Sequence, residues 1–357
     1  MLKRVLVVNP FGIGDVLFSM ALVEAVKRSS PDTQIGFVCN ERTEALVRMN
    51  HSVSDVFVFN RDRFRALRKE GLVPFLRELG RLLSEVRKSR FDTMIDLSLG
   101  REYNFFAMCL GIKKRIGLDH KGRGVFLTQK IKIAGYAGRH VADTQLSLLK
   151  FMNISYDKKP VKVLLEVSSE MKKRADQLLR EAGIGGSDPV IAVAPGGGKS
   201  WGKDAIFKQW DPGRFAKAVD RFCEKRGHRV ILLGDAGERE LLERTASSLR
   251  AKAVIFAGEA LEAVAALLLR SELLLCNDGG LLHLANALGV KTVSIFGPVD
   301  EKVYGPYHNG AAREVVTQSV PCRPCYKNFH FPPCPYNRRC LEDLPVEKVV
   351  QALEKVA

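Results

Sequence analysis

The 357-residue chain reads as an α/β protein of two domains, each built on a parallel sheet with helices on both faces. Three observations predict this. Short β-branched runs alternate with helical patterns almost throughout, and that alternation builds parallel sheets. The order loosens after residue 111 and then starts again, more cleanly, near residue 190. The length exceeds one ordinary compact domain and suits two, and 46% hydrophobic residues let each half bury a core of its own.

In the first half, Val5–Val8 reads as a strand and Asp15–Ser29 as a helix. Gln34–Val38 is the next strand, followed by a helix near Glu41–Met49, a strand at Val56–Phe59, a long amphipathic helix over Val73–Lys88 and a strand at Thr93–Asp96. Gly111 to Gly138 is glycine-rich and basic, which predicts loops with short strands; a helix near Asp143–Met152 and a strand near Val161–Leu165 close the half. In the second half the strands are Val190–Ala194, Arg229–Gly234, Ala253–Phe256, Leu273–Cys276 and, last, Thr292–Phe296. The helices between them are Pro212–Arg226, Glu238–Leu249, Leu261–Leu269 and Leu281–Leu288. Pro345 is well placed to start a terminal helix over Val346–Val356. The domains are therefore expected at 1–165 and 166–345, with 346–357 as a C-terminal helix; the helix at Ser168–Glu181 fits either domain. Both halves are Rossmann-like, and such sheets hold ligands at the carboxyl ends of their strands. If the two faces oppose each other, the active site is the cleft between them.

The formal net charge is +16, and residues 1–150 carry 26 Lys/Arg against 15 Asp/Glu. A basic field of that kind attracts nucleic acid, anionic lipid or a phosphorylated small molecule, or is simply a solvated surface. The sequence holds no recognised nucleic-acid motif, so no nucleic-acid partner is expected. No signal-peptide pattern opens the chain, and its longest apolar helical stretches fall well short of the ~20 residues that span a bilayer. A soluble, cytoplasmic protein without a transmembrane segment is the expectation.

Five stretches carry possible chemistry. Gly12-Ile13-Gly14-Asp15 follows the first strand and opens the first helix. Leu17 stands where a dinucleotide fingerprint has its third glycine, and Asp15 would repel a pyrophosphate, so NAD is disfavoured there. Asp15 is either an N-cap or, facing a cleft, a general base. Gly196-Gly197-Gly198-Lys199-Ser200, after a strand, is rich in backbone N–H and cationic, which suits a diphosphate, although it is not a Walker A sequence; Lys208 lies close behind. Asp278-Gly279-Gly280-Leu281-Leu282-His283 ends a strand and starts a helix whose N–H groups form an anion site. There His283 either donates to a phosphate or is a core histidine, and Asp278 either partners sugar hydroxyls or caps the helix. Asp235 and Glu238 lie just past a strand end, where ribose hydroxyls are often held. Cys322, Cys325, Cys334 and Cys340 have spacings that suit either a four-thiolate structural zinc or four reduced thiols packing a loop.

Taken together, these stretches resemble the heptosyltransferases of glycosyltransferase family nine over nearly the whole chain. The resemblance is carried by Gly12-Ile13-Gly14-Asp15-Val16-Leu17, by Lys208-Gln209-Trp210-Asp211-Pro212-Gly213-Arg214-Phe215, and by Asn277-Asp278-Gly279-Gly280-Leu281-Leu282-His283-Leu284-Ala285 continuing to Ile295-Phe296-Gly297-Pro298-Val299-Asp300. It implies a GT-B architecture, with an N-terminal acceptor domain and a C-terminal nucleotide-sugar donor domain facing a central cleft. It also implies inverting transfer of heptose from ADP-heptose to the inner core of lipopolysaccharide, with no metal needed for the chemistry. On the resemblance, Asp15 is the base and Lys208 meets the donor diphosphate with the turn from Gly279 to His283. Asp278 contacts the heptose, and Glu238 corresponds to a ribose contact. Gly196, Gly197, Lys199 and Ser200 would complete the donor site. Gly12, Gly14, Arg101 and Arg123 would face an acidic glycolipid acceptor at the inner membrane, where the protein would be peripheral. The chain departs from the pattern in its Gly-Gly-Gly-Lys donor loop and in Asp211, where the family often has proline. The same fold moving another nucleotide sugar is the near rival. An NAD-dependent oxidoreductase is the distant one.

Overall fold

A computed structural model describes residues 3–136, 138–156, 161–224, 226–307 and 310–357; the side chains of Arg61, Lys199, Ser200 and Lys203 lie outside that description. The chain divides into two units, Met1–Glu166 and Val167–Ala357.

The first unit holds β1 (Arg4–Val8), β2 (Gln34–Cys39), β3 (Asp55–Val58), β4 (Thr93–Asp96), β5 (Lys114–His120) and β6 (Gln129–Ile133), in the order β3-β2-β1-β4-β5-β6. The second holds β7 (Val190–Ala194), β8 (Arg229–Gly234), β9 (Ala253–Ala257), β10 (Leu273–Asn277), β11 (Lys291–Phe296) and β12 (Arg313–Thr317), in the order β12-β11-β10-β7-β8-β9. All pairings are parallel. Counted from its own first strand, each sheet runs 3-2-1-4-5-6, the doubly wound order. The order reverses between β1 and β4 in one unit and between β7 and β10 in the other. A crevice opens at such a switch, beyond the carboxyl ends of the strands.

Burial explains which segments lie where. β7 and β10 are buried at every residue and read as continuous apolar runs because helices cover both their faces. The helix Pro212–Glu224 buries Phe215, Val219 and Phe222 against this sheet, and Trp210 packs edge-on to Phe215 with ring centroids 5.3 Å apart. The terminal helix Val346–Val356 buries Val349, Leu353 and Val356 in the same core, so it is part of the second unit and not an appendage. The helix Ser169–Glu181, capped by the Ser168 hydroxyl on the Met171 N–H (3.2 Å), packs in the second unit against Leu261–Arg270.

Several expectations are corrected. The second sheet does not end at Phe296: β12 adds an edge strand, and its Arg313 and Glu314 hid it from a reading based on apolar runs. The region 111–138 contains two full ladder strands, with the lysines of β6 alternating along a half-exposed edge. Residues 161–165 form no strand, and Glu166 N–H reaches the Met49 carbonyl (2.8 Å). The expected helix near Asp143–Met152 is a helix Val141–Leu146 followed by a 3-10 turn Ser147–Met152. Two further helices stand at Arg61–Glu70 and Glu102–Cys109. The first is strongly charged and has few apolar residues. It is started by the Asn60 side chain accepting from Arg63 N–H (2.7 Å) and ended at Gly71, whose φ of 152° only glycine adopts readily.

Candidate active site

The richest chemistry lies at the switch of the second sheet. β7 runs into Pro195 and the three glycines, and β10 runs into Asp278, Gly279 and Gly280. The two turns touch: a methyl group on Gly279 would sit 3.8 Å from the Gly197 backbone. Asn277, the last residue of β10, ties them together. Its side-chain Nδ2 donates to the Pro195 carbonyl (2.7 Å) and its side-chain Oδ1 accepts from Trp210 N–H (3.1 Å). The reading from sequence gave Asn277 no role; the one signal was a polar residue ending the apolar run Leu273–Cys276, and it is fully buried.

Trp210 N–H in turn fixes the end of the 3-10 segment Lys199–Lys208. Lys208 projects from it into the interior and lies 2.8 Å from the Asp278 carboxylate, with both side chains less than a tenth exposed. Its ammonium also sits 4.9 Å from the centroid of the Trp201 ring, a cation–π contact. Burying two ions is offset only when they meet each other closely, and removing one partner strands the other. Lys208 and Asp278 are seventy residues apart in sequence and adjacent in space.

Asp278 is not the cap of the helix Gly280–Leu288. That position is Gly279, in extended backbone, and no side chain caps the helix. Its first N–H groups therefore remain a site for an anion beside Lys208. His283 lies on the first full turn and is 7% exposed. Gly198 holds a left-handed φ of 71°, and its N–H donates to Glu238 (3.2 Å). The other Glu238 oxygen accepts from Asp235 N–H (3.1 Å), so Glu238 braces the glycine loop against the end of β8. Both of its oxygens retain acceptor capacity toward a hydroxyl. The expected contributions of the Lys199 and Ser200 side chains fall outside the described residues.

At the switch of the first sheet, Gly12 is the N-cap of the helix Ile13–Ser29, without a side-chain cap hydrogen bond. Asp15 is thus not the cap; it stands in the first helical turn, partly exposed, and its carbonyl accepts from the Asn9 amide (2.9 Å). A methyl group on Gly12 would meet nothing within 4 Å, so no protein atom requires glycine there, and the space beside it is open. Arg101 and Arg123 are exposed on the loops after β4 and β5. Asp96, at the end of β4, is wholly buried; it accepts from Ser98 N–H (2.9 Å) and Asn104 (3.1 Å), yet burial still pushes its carboxyl above the usual range.

Cys322, Cys325, Cys334 and Cys340 line one small pocket together with Phe207, Pro298 and Phe331. Burial, reinforced by the neighbouring thiols, pushes Cys340 up to about 11. Among the described residues no group of three or more His, Cys, Asp and Glu side chains is placed to hold a metal ion. The structural zinc is therefore unsupported by this arrangement: the four thiols share an apolar pocket, and burial raises Cys325 and Cys340, which favours the protonated form of those two.

Two doubly wound units, one with a buried cation and an uncapped helix start at its switch point, define an α/β protein suited to a phosphorylated nucleotide ligand. Comparison with known proteins narrows the class. The model of glycosyltransferase family 9 (heptosyltransferase) matches residues 79–331. The chain belongs to that family and is a glycosyltransferase enzyme. It is 21% identical to lipopolysaccharide heptosyltransferase 3 of Escherichia coli K12 over 96% of this chain and 95% of the relative. Among solved structures, a family 9 glycosyl transferase from Veillonella parvula superposes with a TM-score of 0.81 at 22% identity, covering 99% of this chain and 97% of the other. The E. coli heptosyltransferase WaaC with ADP superposes with a TM-score of 0.74 at 19% identity, covering 99% and 100%. These superpositions bear out the GT-B type of fold.

Proposed function

We propose that the chain transfers heptose from ADP-heptose to the inner core of lipopolysaccharide, inverting the anomeric centre. The observation that carries this is the buried Lys208–Asp278 pair beside the uncapped start of Gly280–Leu288. On this reading the ammonium and the helix N–H groups stabilise charge developing on the leaving diphosphate, and Asp278 contacts the heptose. Glu238 meets the ribose. Asp15, from the first unit, takes the proton of the attacking acceptor hydroxyl. Transfer of this kind has an oxocarbenium-like transition state, and the residues named supply its base and its leaving-group stabilisation. The nucleotide is supported by the ADP of the WaaC structure and the heptose by the relatives' names.

Calorimetric titration with ADP, UDP and GDP, followed by ADP-heptose, tests the donor. Selective ADP binding, tightened by the sugar, is the expected result. Preference for UDP or GDP would overturn the nucleotide.

We also propose that the first unit seats on an anionic bilayer, where the acidic glycolipid acceptor is presented. Leu72, Val73 and Leu76 are more than half exposed at the start of the helix Leu72–Lys88, directly after the basic helix Arg61–Glu70. Exposed apolar side chains beside cations suit a headgroup interface. Among the described residues no helix is long and apolar enough to cross a membrane. The protein should co-sediment with phosphatidylglycerol vesicles and not with phosphatidylcholine ones, and the double change Leu72→Asp, Val73→Asp should abolish this. Equal recovery with both lipids would sink the proposal.

A further inference from the structure

The cysteine-rich segment spans two strand ends of the second sheet. At one end, Cys325 and Tyr326 N–H groups donate to the Pro298 carbonyl (3.0 and 3.1 Å), and Arg323 donates to the Gly297 carbonyl (2.8 Å), just past β11. At the other end, Arg338 reaches the 3-10 segment after β7. One guanidinium nitrogen donates to the carbonyls of Ile206 (2.9 Å) and Gln209 (3.4 Å), which flank Lys208 in sequence. Its second nitrogen pairs with Glu342, one turn on, which fixes the plane of the fork. Phe331 packs on Trp201 and Phe207, with ring centroids 5.2 and 4.9 Å apart, and Trp201 is the ring beneath the Lys208 ammonium.

The backbone is arranged for this reach. Asn337 and Arg338 both hold left-handed conformations, with φ of 44° and 56°, and Arg338 N–H donates to Cys334 Sγ (3.4 Å). Left-handed backbone at residues other than glycine carries a cost, and it persists where the surroundings over-determine it. A planar fork can hold the carbonyls on one nitrogen and the Glu342 carboxylate on the other; an ammonium, a point charge, cannot hold the same geometry.

We propose that Arg338 is a positioning residue for the transfer reaction: it holds the turn that delivers Lys208, and the cysteine-rich segment is the mount that carries it. This rests on the reading that Lys208 meets the donor diphosphate. A displacement of about 1 Å in such a group costs on the order of a hundredfold in rate.

The test is a double-mutant cycle on the full-length protein, reading ADP affinity by calorimetry and adenosine affinity by competition. Arg338→Gln should weaken ADP by about tenfold or more, leave phosphate-free adenosine unchanged, and cause no further loss of ADP affinity in a Lys208→Met background. Arg338→Lys, which keeps the charge, should fall between wild type and Arg338→Gln, and it serves the same cycle should Arg338→Gln fail to fold. Additive losses of ADP affinity, or an equal fall for adenosine, would overturn the positioning role while leaving the donor site standing. Unchanged ADP affinity in Lys208→Met alone would overturn the donor reading and the positioning role with it.

Discussion

Asp15→Asn is expected to slow transfer by about 10²- to 10⁴-fold, the range a positioned general base contributes, with ADP binding close to wild type. The substitution keeps size and hydrogen-bonding shape, and it leaves the cap at Gly12 and the Asn9–Asp15 backbone contact in place. It gives up the favourable interaction of a carboxylate with the helix N-terminus, about 0.3–1 kcal/mol, so folding is nearly preserved. Because Asp15 lies in the first unit and the donor residues in the second, rate and ADP affinity should separate cleanly. Measured single-turnover rates within tenfold of wild type would remove Asp15 from the role of base.

Lys208→Met is expected to act on two quantities at once. It deletes the buried cation at the leaving group, which should lower the transfer rate by roughly 10²- to 10³-fold, as for loss of one preorganised charge-stabilising group. It also strands Asp278, less than a tenth exposed, without its counter-ion, which should cost about 3–5 kcal/mol of stability. Adding Asp278→Asn should restore much of the stability and none of the activity, because the stranded charge is gone while the diphosphate still lacks its ammonium. Thermal unfolding and steady-state rates on the single and double variants check both halves. A double variant as active as wild type would show that the pair serves the fold alone.

The strand–turn–helix logic was legible because both sheets are buried on two faces, so β1, β7 and β10 announce themselves as apolar runs ending in glycine turns. What escaped was whatever apolar periodicity does not encode. Arg61–Glu70 is helical through its Asn60 cap and its neighbours, and among its described side chains only Phe64 is buried. β12 is an edge strand whose charged residues are tolerated because one side is open. At the site, the turns after β7 and β10 were visible as local sequence, and their partners were not. That Lys208 closes on Asp278, that Asn277 links Pro195 to Trp210, and that Glu238 grips the Gly198 N–H are contacts across 40 to 82 positions. They depend on strand order, which local pattern does not reveal. The same holds for the helix starts: an acid near a turn suggested a cap at Asp15 and at Asp278, whereas glycine occupies both cap positions and leaves the acids for other partners.

The shared 3-2-1-4-5-6 order also governs how the nascent chain acquires its shape. In the first unit β1 leaves the ribosome well before its central partner β4, with Val5 opposite Thr93. β2 and β3 emerge between them and can join β1 at once, while the other edge of β1 waits for roughly ninety residues of synthesis. Non-local pairing of this kind is intrinsically slow, and an unpaired strand edge is a template for other chains. The second unit repeats the delay between β7 and β10, where Ile191 meets Leu273. Each half is thus exposed to misassembly during the interval before its fourth strand arrives.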